Sequence, residues 1–474
     1  MTFLLRLGCL FLFLSLARCR PPAPAATPLA ADPWDTRDEI LRAIRPPEFP
    51  DRDFAITDHG AVADDGSDAL PALRAAIRAC HRAGGGRVVV PAGTYFVKGP
   101  VHLLSNVNLH VAEGATLRFS TAPEDYLPAV HTRWEGVETY NYSPLIYAYE
   151  AENVALTGRG TLDGQASNEH WWPWSGSARY GWREGQGRQS DPGSRPTLFA
   201  WNTDEVPLRK RRFAGVSYLR PNFVQPYRCT NVLIEGVTLR NSPMWVLHPV
   251  LSENVTIRDV RVISHGPNSD GCDPESCRNV LIEGCYFDTG DDCIALKSGR
   301  NQDGRRSGRP VENVVVRDCE MKDGHGGVVI GSEVSGGARN IFAEDCLMDS
   351  PNLERAIRVK TNKVRGGTIE NLFFRNITVG EVSEAVVRVN MRYPIFSDTT
   401  ETFVPVVRNI HVENVTSRKS RYGLLLEGYG PDDPVRGVTL EHCRFDGVAE
   451  GNRLEHVRDL RLEEVYVNGE RINP

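Results

Sequence analysis

From Asn106 onward, apolar and polar positions alternate in short phrases that keep returning. They are NVNLHVAEGATL at 106, NVALTGRGTL at 153, NVLIEGVTL at 231, NVTIRDVRV at 254, NVLIEGCYF at 279, NVVVRDCEM at 313, NIFAEDCLM at 340, NLFFRNITV at 371, NIHVENVTS at 409 and GVTLEHCRF at 437. A period of two makes each phrase a strand with one buried face. The phrases recur at intervals of 23, 25, 34 and 27 residues between Asn231 and Asn340. A coil of roughly 22 to 30 residues with loop insertions predicts an all-β chain wound as a parallel β-helix.

A second strand recurs inside the same coils: CIALKS at 293, GVVIGS at 327, AIRVKT at 356 and AVVRVN at 385. Ile357 and Val359 face inward in this pattern, which sends Arg358 and Lys360 outward together. The asparagine that opens each phrase sits where a turn ladder would form. Asn254, Asn376 and Asn414 also match the glycosylation pattern, but their places in the repeat favour a structural role.

Ahead of the repeats, Leu70, Leu73, Ile77 and Cys80 recur at helical spacing. Ser67 or Asp68 is placed to cap the start, and Gly84 to Gly86 stop the helix. Such a helix is expected to cover the open end of the strand stack. Residues 120–230 interrupt the rhythm with an insertion rich in aromatic and turn residues, which on a repeat protein sits on one face and shapes a binding site. Trp171, Trp172 and Trp174 read as a small loop core. Arg209 to Arg212 read as a solvated face able to attract an anionic chain.

The 474 residues are 41% hydrophobic and 24% charged, with a net charge of −6, which argues against a general nucleic-acid binder. Residues 1–26 have one early positive charge, a short apolar run and a Pro/Ala-rich tail, and are read as a signal peptide. Residues 27–53 are read as a linker and 54–474 as one catalytic domain. The expectation is a secreted or periplasmic monomer without a membrane span; Cys19 in LARC offers lipoprotein anchoring as the lesser alternative. Eleven cysteines in an exported chain ordinarily suggest disulfides. Cys285, Cys319, Cys346 and Cys443, however, take the place that Val237, Val260, Ile377 and Val415 hold in other repeats, so they read as core hydrophobes. Cys272 with Cys277 or Cys293 remains open as a pair.

The chemistry concentrates between Asn268 and Lys360: NSDGCDP at 268, GDDCIALKSG at 290, GHGGVVIGS at 324 and AIRVKTN at 356. Asp270 and Asp292 are 22 residues apart, close to one coil, and neighbouring coils stack about 4.8 Å apart, so their carboxylates become neighbours. His325 falls one coil beyond Asp291, and Arg358 with Lys360 on the next. Adjacent carboxylates raise one another's pKa, so one stays an acid while another stays a base. Glycosidic cleavage needs that division, and the two cations suit an acidic sugar. Gly290 predicts an irregular turn through which both Asp291 and Asp292 emerge.

NSDG, GDD, GHG and RVK resemble the NTD, DD, GHG and RIK signatures of glycoside hydrolase family 28, the polygalacturonases; the likeness runs from about Phe54 and includes AVADDGSDA, GGGRVVVPAGTY and SPMWVLHP. The resemblance implies a single-stranded right-handed parallel β-helix of the pectin-lyase-like kind. It implies that Asp291 is the general acid, that Asp270 and Asp292 activate water with inversion, and that His325 supports the acid. It also implies that Arg358, Lys360 and Asn268 bind substrate. Ser269 and Val359 depart mildly from the signatures. The insertion resembles that of bacterial exo-acting members. The implied substrate is an acidic plant cell-wall polysaccharide with α-1,4-galacturonosidic bonds, and no cofactor or metal is expected. The alternatives are a rhamnogalacturonan- or xylogalacturonan-cleaving member, a Ca²⁺-dependent pectate lyase using the aspartates as ligands, and a non-catalytic carbohydrate-binding β-helix.

Overall fold

The computed structural model describes residues 32–396 and 401–473. The expected signal peptide, with Cys19, lies outside the described residues. The chain winds as a right-handed parallel β-helix with three sheets. Two run the length of the stack with 13 strands each. The third comprises three strands (Val101–Leu103, Ile146–Tyr149, Val224–Tyr227) and six more from Ile294–Leu296 to Arg453–Glu455. Single bridges Val224–Leu247, Leu247–Cys272 and Cys272–Ile294 join its two parts.

The alternating phrases align in register, so like residues stack on like. Val232, Val255, Val280, Val314, Ile341, Leu372, Ile410 and Val438 pair successively in one inward column. Each is buried, and a fully buried aliphatic side chain contributes about 1.5–3 kcal/mol. The nine described cysteines are buried and unpaired, including Cys272, Cys277 and Cys293. The thiols of Cys285, Cys319 and Cys346 each turn to a backbone carbonyl two residues back.

The asparagines take left-handed backbone conformations, which Asn tolerates through its short polar side chain. Their amides form two ladders rather than one. Asn106, Asn153, Asn231 and Asn254 bond in sequence, as do Asn279, Asn313, Asn340, Asn371 and Asn409 along the same turn. Asn376 and Asn414 continue from Asp345 along another turn. Between Asn254 and Asn279, Arg45 intervenes: its N–H donates to Asn254 Oδ1 at 2.9 Å, and its carbonyl accepts from Asn254 Nδ2 at 2.6 Å.

Helix α1 (Pro33–Ala43) lies within the stretch read as a linker. Trp34, Ile40 and the following Ile44 pack on Val315, Phe342 and Phe373, which face outward from the first long sheet. Arg37 ties the helix to Glu344 at 2.6 Å. Helix α2 (Leu70–Arg82) buries Leu70, Leu73, Ile77 and Cys80 and covers the amino-terminal end of the core, as expected. Asp68 is the capping side chain, accepting the Leu70 N–H at 2.9 Å; Ser67 bonds Asp65 instead.

The insertion is not one continuous excursion through 120–230. Strands Ile146–Tyr149, Glu152–Gly158 and Thr161–Asp163 form a regular coil inside it. That coil separates a hairpin (Val130–Trp134 with Val137–Asn141) from a second excursion carrying helix α3 (Arg195–Thr203). Trp171, Trp172 and Trp174 pack against the main core rather than forming an isolated one. Arg211 is buried and paired with Asp303 at 2.6 Å, so it serves structure, while Arg209, Lys210 and Arg212 stay exposed.

Candidate active site

The turns that carry the candidate residues come together because glycines let the chain approach itself. A Cβ on Gly290 would meet the Gly266 carbonyl at 2.3 Å, and one on Gly324 the Asp291 carbonyl at 2.7 Å. Asp291 and Asp292 lie in the resulting bend before Ile294–Leu296, so both side chains reach the same space. Thr289 Oγ1 donates to the Asp291 carbonyl at 2.8 Å, and the Asp292 N–H donates to Asp291 Oδ1 at 3.0 Å. One carboxyl oxygen from each of Asp270, Asp291 and Asp292 lies within 4.8 Å of the others.

His325 Nδ1 sits 2.9 Å from Asp291 Oδ1. Asp292, fully buried, is held by Arg358 at 3.1 Å and Lys360 at 2.5 Å. All six predicted acid–base and cationic residues therefore share one place. Asn268 lies at its edge and is gripped by buried Arg220 at 2.7 Å. Arg220 also donates to Gln189 and to the carbonyls of Pro243 and Pro267, which fixes the insertion to the turn before Asp270.

The environments separate the three carboxyls. Burial, then the charge of Asp291, pushes Asp270 up to about 8, so it holds a proton in the ligand-free site. Burial opposes ionisation of Asp291 as well, but His325 outweighs it and holds Asp291 below the usual carboxylate range. The same burial at Asp292 is overcome by Lys360 and Arg358. The Asp291 charge raises His325 to about 9. Two protons are thus present: one on Asp270, and one on the His325–Asp291 pair.

Beneath this row lies a charged layer that the repeat reading did not single out. Lys297, buried under the Trp245 ring at 4.4 Å, is 3.3 Å from Asp270, 3.8 Å from Asp273 and 3.5 Å from Glu333. Arg300 lies 3.2 Å and Arg365 3.6 Å from Glu333. Neither Asp273 oxygen has a hydrogen-bond partner; burial, then Asp270, raises its pKa well above the ordinary value and keeps it neutral. The alternation that placed Lys360 outward also places Lys297 outward, and that was the available signal. Away from the carboxylates, a cavity of about 850 Å³ is lined by Arg228, Arg278, Arg306, Glu253 and Glu312. Its Arg306 is engaged by Glu138 at 2.9 Å and Asp303 at 2.8 Å, and its lining residues are separate from the six of the acid–base row.

Three carboxyls with separated proton affinities, on the outer face of a parallel β-helix beside paired cations, define a carbohydrate-cleaving enzyme. The chain belongs to the glycosyl hydrolases of family 28, whose family model matches residues 216–456. A second model, described as rhamnogalacturonase A/epimerase, pectate lyase-like, matches residues 54–117. A crystal structure of a hyperthermoactive exopolygalacturonase from Thermotoga maritima is 46% identical, with a TM-score of 0.88 over 93% of this chain and 97% of that one. A probable polygalacturonase of Vitis vinifera is 27% identical over 84% of this chain and 75% of its own length. An exo-poly-α-D-galacturonosidase of Dickeya chrysanthemi is 28% identical over 77% of this chain and 62% of its own length.

Proposed function

We propose that this glycoside hydrolase cleaves α-1,4-galacturonosidic bonds of pectic polygalacturonate from a chain end, outside the cytoplasm and as a monomer. The observation that carries the reading is the convergence of Asp270, Asp291 and Asp292 beside Arg358 and Lys360. The Thermotoga, Vitis and Dickeya relatives are named for galacturonan cleavage, and two of the three for exo action. The insertion crowding the row supports a closed end.

In this reading the proton held by His325 passes across the 2.9 Å contact to Asp291, which delivers it to the leaving glycosidic oxygen. Water attacks the anomeric carbon from the opposite side, and its proton goes to ionised Asp292, with Asp270 orienting the water. A galacturonate carboxylate seated at Arg358 and Lys360 shares their charge, which loosens their hold on Asp292 and makes it more basic when substrate is present. The same two cations disfavour a metal-dependent lyase: a divalent ion among the three aspartates would sit beside the Arg358 and Lys360 charges.

Proton NMR of a digest of defined oligogalacturonates tests the whole proposal. It should show free galacturonate released first, initially as the β-anomer. An unsaturated product would assign a lyase, an α-anomer a covalent intermediate, and binding without turnover a carbohydrate-binding role.

A further inference from the structure

A continuous run of ionisable side chains leads from the three carboxyls to the insertion. Asp270 meets Lys297 at 3.3 Å, Lys297 meets Glu333 at 3.5 Å, Glu333 meets Arg300 at 3.2 Å, Arg300 meets Glu135 at 3.2 Å, and Glu135 meets Arg195 at 3.9 Å. The side chains from Asp270 to Arg300 are 9% exposed or less, and the run opens to 12% at Glu135 and 30% at Arg195. The run therefore begins under the reacting centre and surfaces at Arg195.

Arg195 is held in place from below. It opens helix α3, whose Asn202 donates to the Arg300 carbonyl at 2.9 Å and accepts the Asp303 N–H at 2.9 Å. The hairpin tip that carries Glu135 is pressed onto the same point: the Arg300 N–H donates to the Gly136 carbonyl at 3.0 Å, and a Cβ on Gly136 would meet Glu333 Cβ at 3.1 Å. The guanidinium itself is underused. Among the described residues its ion-pair contact is the loose 3.9 Å approach to Glu135, with no side-chain hydrogen bond.

Charge is also out of balance here. Arg195, Lys297, Arg300, Arg358, Lys360, Arg365 and protonated His325 surround Glu135, Glu333, Asp291 and Asp292, while Asp270 and Asp273 are held neutral by burial. Arg358 and Lys360 have a role for one sugar carboxylate. A polymer with an acid on every residue brings a second.

We propose that Arg195, oriented by Glu135 over Arg300, is a second carboxylate-binding residue that receives the acidic group of the terminal sugar and so makes the insertion read chain ends. This rests on the galacturonan reading above and names the group that the insertion recognises. Its bond to the carboxylate forms with substrate and persists in the transition state, so it contributes to binding rather than to the chemical step.

The test compares wild type, Arg195→Ala and Arg195→Lys on di- and trigalacturonate, and on trigalacturonates methyl-esterified on one terminal sugar, each end in turn. Arg195→Ala should raise KM by about tenfold, the worth of one charge-assisted hydrogen bond, with kcat within about twofold. Arg195→Lys should recover part of that loss. One terminal ester should weaken wild type but leave Arg195→Ala indifferent, a signature that a purely structural role does not give. Unchanged KM in Arg195→Ala, or equal sensitivity to both esters, overturns the inference while the galacturonan reading stands. Failure of wild type to cleave any galacturonate oligomer overturns that reading and the inference together.

Discussion

His325 Nδ1 and Asp291 Oδ1, on adjacent coils, are 2.9 Å apart, and the contact joins an imidazole 47% exposed to a carboxylate only 17% exposed. The proton of the pair rests on the solvent-facing imidazole beside the more buried carboxylate, which is the arrangement an acid needs if it is to be reloaded after each turnover. Replacing Asp291 with Asn should lower kcat by roughly 10³-fold, within the usual range for a general acid, with unchanged far-ultraviolet circular dichroism. Activity within tenfold of wild type would remove Asp291 from that role.

The imidazole reports the pair directly. With its pKa raised to about 9 by Asp291, the contact is fully present below the ordinary histidine value, about 6.5, and is lost as pH rises through 9. NMR titration of His325 should give a midpoint near 9 in the ligand-free enzyme. In Asp291→Asn the midpoint should fall back toward about 6.5.

Asp270 carries the opposite sign for a carboxyl. Its raised pKa, about 8, means that folding favours the protonated form, so its contribution is greatest at low pH and declines between its unfolded value, about 3.9, and 8. Asp270→Asn should therefore stabilise the protein at pH 8, on the order of 1–3 kcal/mol by denaturant titration, while removing most activity. A destabilised variant at pH 8 would show that Asp270 is ionised in the fold.

Lys360 is the closer of the two cations on fully buried Asp292. Lys360→Met leaves that carboxylate with Arg358 alone and should cost about 3–5 kcal/mol if Asp292 stays charged. Lys360→Met combined with Asp292→Asn should restore much of the stability but none of the activity. Thermal unfolding and hydrolysis assays of the single and double variants check both halves.

Helix α1 closes an apolar patch. Trp34→Ala should destabilise by about 3–5 kcal/mol, the usual range for a buried aromatic, and expose Phe342 and Phe373 to a hydrophobic dye. The site lies on another face, so kcat of the folded fraction should hold. A change in kcat without loss of stability would contradict this placement.

Register made the core and the acid–base row legible: a residue's place in the repeat dictates its neighbour one coil away, and Asp291, His325 and Lys360 all follow that rule. Helix α1 obeys no such period, yet its seat was written in the repeats. Leu281, Val315, Phe342 and Phe373 are apolar at positions where other coils carry Thr256, His411 and Thr439, and an outward apolar run needs a cover. Arg220, Glu135 and Arg195 were invisible for another reason. They lie in irregular segments, and their partners Asn268 and Arg300 are dozens of residues away, so no spacing connects them. Within the insertion, the phrase at Asn153 kept its strand pattern, and that was the sign of a regular coil dividing it.

The seat of Arg45 on Asn254, 209 residues downstream, and of Arg37 on Glu344, 307 residues downstream, sets an order of assembly. Synthesis makes residues 32–46 early, yet their docking surface exists only after coils beyond Phe342 have closed. Loop closure across that distance has to await the nearer contacts. The amino-terminal strap then engages only after those coils, and a late change in Trp34 fluorescence during refolding would time it.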